Sequence, residues 1–293
     1  VTLLPVLVHR LATWKARNPF ASARSGVSTA AIASITATLL IAGPEASAEE
    51  ERAIEIMERV NARDEGAHVS RVLQIELTDR RGRTRIQRTR GYRKYYGDDK
   101  RTVVFYAAPA NVRDTGFLTY DYADPERDDD QWLYLPALRK VRRISASNRG
   151  DYFIGTDLTY EEIKKENKIA LEDYSFTLRG REVVGGADCF VIEGAPVSTE
   201  IARELGYGKV VWRIDPAIWM SRRNDFWDLN GRHLKTVDFP VIEAIDDIWT
   251  ALEIEARNHK TGHTTRFTFS EVDYRTVVPD TLFEQRALAR GGR

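Results

Sequence analysis

The chain has 293 residues, of which 42% are hydrophobic and 30% are charged, a composition typical of a folded globular protein and not of a disordered one. Lysine plus arginine and aspartate plus glutamate are equal at 44 each, so the basic excess on which nucleic-acid binding depends is missing. These numbers exclude nucleic acid as an expected partner. Cys189 is the single cysteine, so no intramolecular disulfide can form.

The first 48 residues contain the three parts of a secretory signal peptide. A basic region leads into an uncharged run over residues 25–44, which is followed by the small-x-small sequence Ala46-Ser47-Ala48. The apolar core of that run is shorter than the roughly 18–20 residues that a membrane-spanning helix needs. We therefore predict export to the periplasm with cleavage near Ala48, residues 1–48 being the signal peptide and residues 49–293 a single domain.

The hydrophobic pattern then changes from helical to extended. Ala53, Ile54, Met57 and Val60 recur at spacings of three and four, which predicts an amphipathic helix over residues 49–61. From Leu73 onward the spacing is two, and short strands alternate with turns almost to the end of the chain. The pattern predicts a mainly β protein whose one antiparallel sheet has a few helices against one side.

Turn residues divide this region into a series of hairpins. The predicted strand pairs are 73–77 with 83–96, 100–108 with 116–122, 132–135 with 140–144, 174–184 with 189–193, 209–214 with 219–223, and 249–257 with 264–270. Short helices are predicted to begin near Thr159 and to cover residues 198–205. Asn230-Gly231 is typical of a type I′ turn, which would place Trp227 opposite Leu234.

Recognised patterns of catalytic residues are missing from the sequence. It has no G-x-S-x-G, no H-E-x-x-H and no phosphate-binding glycine loop. His259 and His263 bracket a turn without a third metal ligand, which predicts a solvated loop, and Cys189 lies in a strand, which predicts a buried, unreactive thiol. We therefore expect neither an enzyme nor a bound cofactor or metal.

Large apolar side chains are numerous for a single sheet with few covering helices. They either pack the helices onto the sheet or line an apolar cavity that shelters acyl chains. The candidate cavity residues are Phe105, Leu118, Tyr120, Trp132, Tyr134, Phe153, Trp212, Ile214, Trp219, Trp227, Leu234, Phe267 and Phe269.

Several motifs resemble the LolA-like family, in particular its outer membrane lipoprotein-sorting protein group. The resemblance covers residues 50–288. The matching stretches are 114–120, 130–144, 155–162, 228–232, 267–270 and 280–283.

The resemblance implies an unclosed β-barrel with helices packed in its concave side and a hydrophobic cavity. It also implies a periplasmic carrier of lipid or acylated lipoprotein that works with an inner-membrane RND/MMPL-type transporter. Two alternatives remain open, a lipid-sensing regulatory protein of the envelope and an outer-membrane β-barrel. The second fits less well, because arginines fall on both faces of residues 84–96 and the chain lacks a terminal aromatic residue.

Overall fold

A computed structural model describes residues 44–166 and 168–291, so most of the predicted signal peptide lies outside the described residues. The four α-helices are α1 Pro44–Asn61, α2 Tyr160–Lys165, α3 Thr199–Leu205 and α4 Gln285–Leu288. Single 3-10 turns occur at Pro136–Leu138, Ala146–Asn148, Phe153–Gly155, Leu171–Asp173 and Asp280–Phe283. Over the described ranges, no helix is both long and apolar enough to cross a membrane.

Thirteen strands form the rest of the regular structure. They are β1 His68–Thr78, β2 Thr84–Tyr96, β3 Asp99–Ala108, β4 Gly116–Asp121, β5 Asp130–Leu135, β6 Lys140–Ile144, β7 Tyr174–Val184, β8 Ala187–Pro196, β9 Lys209–Asp215, β10 Met220–Trp227, β11 His233–Ile245, β12 Ile248–Asn258 and β13 His263–Asp273.

All the strands belong to one antiparallel sheet in the order β6-β5-β4-β3-β2-β1-β13-β12-β11-β10-β9-β8-β7. Each half of the chain forms a meander, and the pairing of β1 with β13 joins the two halves. Because β6 and β7 lie at opposite edges, the sheet does not close into a barrel. The predicted mainly β, unclosed sheet is thus confirmed.

The predicted hairpins are present, but the register predicted across Asn230-Gly231 is wrong. Trp227 pairs with His233 and not with Leu234. The Asp228 carboxylate accepts hydrogen bonds from the backbone N–H groups of Asn230 (2.9 Å) and Arg232 (2.9 Å), and only Gly231 has a positive φ. A type I′ turn needs positive φ at both central residues, and Asn230 does not have it. A loop capped by the Asp228 carboxylate therefore forms instead of that turn.

The main core lies on one side of the sheet, which we call the inner face. It includes Leu73, Ile75, Val104 and Phe267 from the strands. Helix α1 packs onto the same core through Ala53, Ile56, Met57 and Val60. The predicted contact residue Ile54 is 37% exposed instead, since Ile56 shares the buried face with Met57 and Val60.

The crossover between β6 and β7, residues 145–166 and 168–173, also packs on the inner face. Phe153 meets Phe117 of β4 edge to face, with 5.0 Å between ring centroids. Thr159 caps α2 as predicted: its hydroxyl accepts from Glu162 N at 3.2 Å, and the Glu162 carboxylate accepts from Thr159 N at 2.8 Å. This capping box fixes where the short helix begins.

A second, smaller core lies on the outer face of the sheet. Val278, Phe283, Ala287 and Leu288 of the C-terminal segment cover strands β3 to β5 there. Helix α4 therefore lies on the opposite side of the sheet from the main core, contrary to the expectation that all the helices share one side. The C-terminal segment packs on the outward-facing residues of β3 to β5, and inward-facing residues of the same strands belong to the main core.

Candidate functional site

The inner face and the crossover enclose a cavity of about 1110 Å³, a volume that includes its open mouth. Apolar side chains make up much of its wall. They are Leu73, Val104, Phe153, Leu158, Ile163, Phe226, Val237, Phe239, Trp249, Ala251, Ile254, Phe267 and Phe269.

A few buried polar contacts hold the crossover against the sheet and so define one side of the cavity. Lys235 of β11, fully buried, donates to the Glu162 carboxylate at 2.6 Å and to the Asp157 carbonyl at 3.1 Å. The Asp157 carboxylate accepts from the Thr265 hydroxyl at 2.7 Å and also contacts the His263 ring. The cavity wall therefore depends on ionic contacts as well as on apolar packing.

One end of the cavity is strongly polar. Arg93 is 3% exposed at its side chain and lies 3.2 Å from Glu65 and 3.3 Å from Glu166. Arg63 pairs with Glu65 at 2.8 Å, and Arg71 contacts Glu166. Burial opposes the ionisation of Glu166, but Arg71 and Arg93 outweigh it and lower its pKa to about 2. We call these five residues the arginine end.

Several polar atoms in the cavity wall have no hydrogen-bond partner among the described residues. They are Arg63 Nε, Arg93 Nε, Thr89 Oγ1, Thr102 Oγ1, Glu162 Oε1 and Asn224 Oδ1. Buried polar groups in native proteins are nearly always paired. These atoms leave hydrogen-bonding capacity along the cavity wall that water or another occupant can satisfy.

A second chamber of about 600 Å³ adjoins the first, and the two share Glu162, Glu166, Asn224, Phe226 and Phe239 in their walls. Trp212 lies in this chamber and meets Tyr174 edge to face at 5.3 Å. Gly194 makes room for that indole, because a Cβ on it would lie 2.4 Å from the Trp212 ring. The two chambers therefore adjoin along these shared residues.

The structure brings four of the candidate residues to this space and places the others elsewhere. Phe153, Phe267 and Phe269 line the first chamber and Trp212 lines the second. Ile214, Trp219 and Leu234 belong to the inner core without lining either chamber. Trp227 stacks on His233, with 5.2 Å between ring centroids, because of the one-residue register change described above.

The remaining five candidates, Phe105, Leu118, Tyr120, Trp132 and Tyr134, lie in the outer core under the C-terminal segment. Their neighbours Val104 and Phe117 face inward instead. Side chains alternate along a strand, so the sequence shows which residues share a face but not which face lines the cavity. The arginine end and Gly91, which also lines the cavity, were not among the candidates.

The remaining histidines and the cysteine lie apart from the cavity. His259 is an exposed turn residue, as predicted, and its ring hydrogen-bonds with the Thr236 hydroxyl at 2.9 Å. His263 instead begins β13 and contacts Asp157. Cys189 is fully buried, and burial raises the pKa of its thiol. Within the described part of the chain, no three His, Cys, Asp or Glu side chains are placed to hold a metal ion.

Comparison with known proteins places this geometry in a family. A family model described as "-like: Uncharacterized protein" matches residues 98–290. None of the curated proteins searched matches the chain. Similar solved structures include a DUF1329 family protein from Desulfovibrio piger ATCC 29098, with 27% identity and a TM-score of 0.75, covering 82% of this chain and 99% of its own.

Another similar structure is an outer membrane lipoprotein-sorting protein domain from Vibrio parahaemolyticus, with 30% identity and a TM-score of 0.74, covering 82% of this chain and 100% of its own. A LolA superfamily protein from Nitrosomonas europaea, 20% identical with a TM-score of 0.57, shares the fold over 83% of this chain and 98% of its own. These matches confirm the resemblance to LolA-like lipoprotein-sorting proteins that the motifs indicated. The chain therefore belongs to the DUF1329 family of LolA-like proteins.

Proposed function

We propose that this protein is a periplasmic carrier that shelters the acyl chains of a lipid or lipoprotein in the cavity of its inner face. The observation that carries the proposal is the mainly apolar lining of the cavity between the sheet and the crossover. Each methylene moved from water into such a space contributes about 0.8 kcal/mol. An acyl chain is thus bound without any covalent step, and the proposed function is binding and not catalysis.

The similarity to the outer membrane lipoprotein-sorting protein domain from Vibrio parahaemolyticus supports this class of cargo. The motif resemblance extends the proposal to an inner-membrane RND/MMPL-type transporter as the partner that supplies or receives the lipid. A carrier between the inner and outer membranes has to be in the periplasm, the compartment between them. The basic, apolar and small-x-small pattern of residues 1–48 supports export to that compartment.

Export gives the first testable prediction. When the full chain is produced in a Gram-negative host, the mature protein should begin at Glu49 and should be released by osmotic shock. N-terminal sequencing of the released protein checks the cleavage site. Protein that retains residues 30–45 in the envelope fraction would contradict the cleavage. A protein confined to the cytoplasm would contradict export itself.

The cavity is tested with a fluorescent fatty-acyl probe and the variant Ile254→Glu. Ile254 lines the cavity and is only partly buried, so a polar replacement there perturbs the core less than one at Phe267. We expect Ile254→Glu to weaken probe binding about tenfold, because a carboxylate facing hydrocarbon is poorly solvated. The matched control is Ile86→Glu, since Ile86 is 48% exposed in β2, and it should bind like the unmodified protein.

Both variants are first checked for folding by circular dichroism and by their melting temperatures. If the delipidated, folded protein binds no acyl probe, the carrier proposal is wrong and the cavity has another use. Equal loss of binding in both variants would show that the effect does not come from the cavity. Displacement of the probe by lipid extracted from the native envelope would identify the cargo class.

A further inference from the structure

The arginine end contains more positive than negative charge. Arg63, Arg71 and Arg93 face only two carboxylates, those of Glu65 and Glu166, and all five side chains are at most 16% exposed. One positive charge of this buried group therefore has no counterion within it. An uncompensated buried charge is costly, which makes the site a strong attractor for an anion.

Lys168 adds to this excess. Its side chain lies over the Tyr95 ring, with Nζ 5.0 Å from the ring centroid. Burial lowers the pKa of Lys168; the nearby Glu65 carboxylate raises it, whereas the positive charges of Lys100, Arg93 and Arg63 lower it further.

The same end of the cavity has hydrogen-bond donors without acceptors. Among residues 44–166 and 168–291, Arg93 Nε and Arg63 Nε are buried and have no hydrogen-bond partner, and the same holds for the hydroxyls of Thr89 and Thr102, each residue being 2% exposed. Thr102 pairs directly with Arg93 across β2 and β3, which places the two side chains about 5 Å apart at their Cβ atoms. All four residues line the cavity. Unpaired guanidinium N–H groups and hydroxyls around a positive charge match the oxygens of a phosphate or carboxylate.

We propose that the arginine end binds the anionic head group of the lipid whose acyl chains occupy the apolar part of the cavity. The head group chemistry is a phosphate or a carboxylate, held by Arg63, Arg71 and Arg93 with the hydroxyls of Thr89 and Thr102. This inference rests on the proposed carrier function and narrows its cargo to anionic lipids. A neutral acylglycerol leaves the donors unpaired and binds less well.

The first test compares lipids that have identical acyl chains and different head groups. Phosphatidic acid, free fatty acid and diacylglycerol, all with oleoyl chains, compete against the fluorescent acyl probe. We expect phosphatidic acid to bind about tenfold more tightly than diacylglycerol, since hydrogen bonds to charged groups are stronger than those between neutral groups. The fatty acid, which has a single chain, shows whether a carboxylate is accepted as the head group, and inorganic phosphate alone shows whether the head group binds without acyl chains.

The second test uses Thr102→Val, with Thr119→Val as the matched control. Both threonines are buried, both hydroxyls lack a partner, and the two residues pair across β3 and β4, but only Thr102 lines the cavity. We expect Thr102→Val to lower the preference for phosphatidic acid over diacylglycerol several-fold, whereas Thr119→Val leaves it unchanged. Neither variant should lower the melting temperature, because each removes an unpaired buried hydroxyl.

The outcomes separate the two proposals. Equal affinity for phosphatidic acid and diacylglycerol overturns the head-group inference and leaves the carrier function intact. An equal effect of the two Thr→Val variants also overturns it, because the hydroxyl in the cavity would then have no special role. Failure of every lipid to bind contradicts the carrier function itself.

Discussion

Replacing Gly91 by valine is expected to weaken lipid binding at least tenfold while the protein remains as stable as before or becomes slightly more stable. Gly91 lies in the middle of β2 on the inner face, paired with Arg71 of β1 and Val104 of β3. It is part of the cavity wall. A β-branched side chain at this position therefore extends into the space that we propose for the lipid.

The stability expectation follows from the surroundings of Gly91. Its φ is not positive, and an added Cβ would meet the Arg71 side chain at 3.8 Å and the Val103 carbonyl at 3.9 Å, which are ordinary contact distances. Glycine within a strand costs about 0.5–1 kcal/mol relative to alanine, and valine has a high strand propensity. We therefore expect Gly91→Val to lose binding without losing stability.

Binding of the acyl probe and thermal melting are measured together on Gly91→Val, with Gly91→Ala as a graded control. Alanine adds only the Cβ, so its affinity should remain within about threefold of the unmodified protein, while valine should lose most of the binding. A folded Gly91→Val protein that binds lipid with unchanged affinity would show that the first chamber is not the binding site.

The sequence predicts the strands of this protein far better than the turn chemistry that sets their register. The two-residue spacing of Leu73, Ile75 and Leu77 correctly predicts β1, in which all three are buried. The Thr159 cap correctly predicts the start of α2. At the 228–232 loop two local signals compete. Asp228 captures two backbone N–H groups and displaces the type I′ turn, which moves Trp227 opposite His233.

The cavity is harder to predict, because its lining depends on which face of the sheet the crossover covers and which face the C-terminal segment covers. Phe105 and Val104 are adjacent in β3 and both are buried, one under the C-terminal segment and the other toward the crossover. A strand that is buried on both faces has no polar side in its sequence from which to assign the inner one. The Tyr120 hydroxyl, for instance, donates to the Phe283 carbonyl at 2.6 Å on the outer face.

The arginine end cannot be predicted from the sequence, for a related reason. Arg71 and Arg93 contact Glu166 across 95 and 73 residues of chain, respectively. Residues so far apart meet only because the crossover between β6 and β7 returns over β1 and β2. An arginine in a strand with many charged neighbours is most simply interpreted as solvated, and no local pattern distinguishes Arg93 from the exposed Arg90.

The largest loss of stability is expected at the contact that fastens the crossover to the sheet. Lys235 is fully buried, with its ammonium 2.6 Å from the Glu162 carboxylate and 4.9 Å from the centre of the Phe226 ring. The Glu162 side chain is only 15% exposed. Removing one partner of a buried ion pair leaves the other charge uncompensated, which typically costs about 3–5 kcal/mol.

We therefore expect Lys235→Ala to lower the free energy of unfolding by about 3–5 kcal/mol, as measured by urea denaturation. The double variant Lys235→Met with Glu162→Gln should recover much of that loss, because it removes both charges and keeps the side-chain volumes. Lys209→Ala is the matched control, since Lys209 is 39% exposed and 3.9 Å from Glu193, and it should cost less than about 1 kcal/mol. A loss at Lys235 no larger than the loss at Lys209 would mean that apolar packing alone holds the crossover, and with it the wall of the cavity, in place.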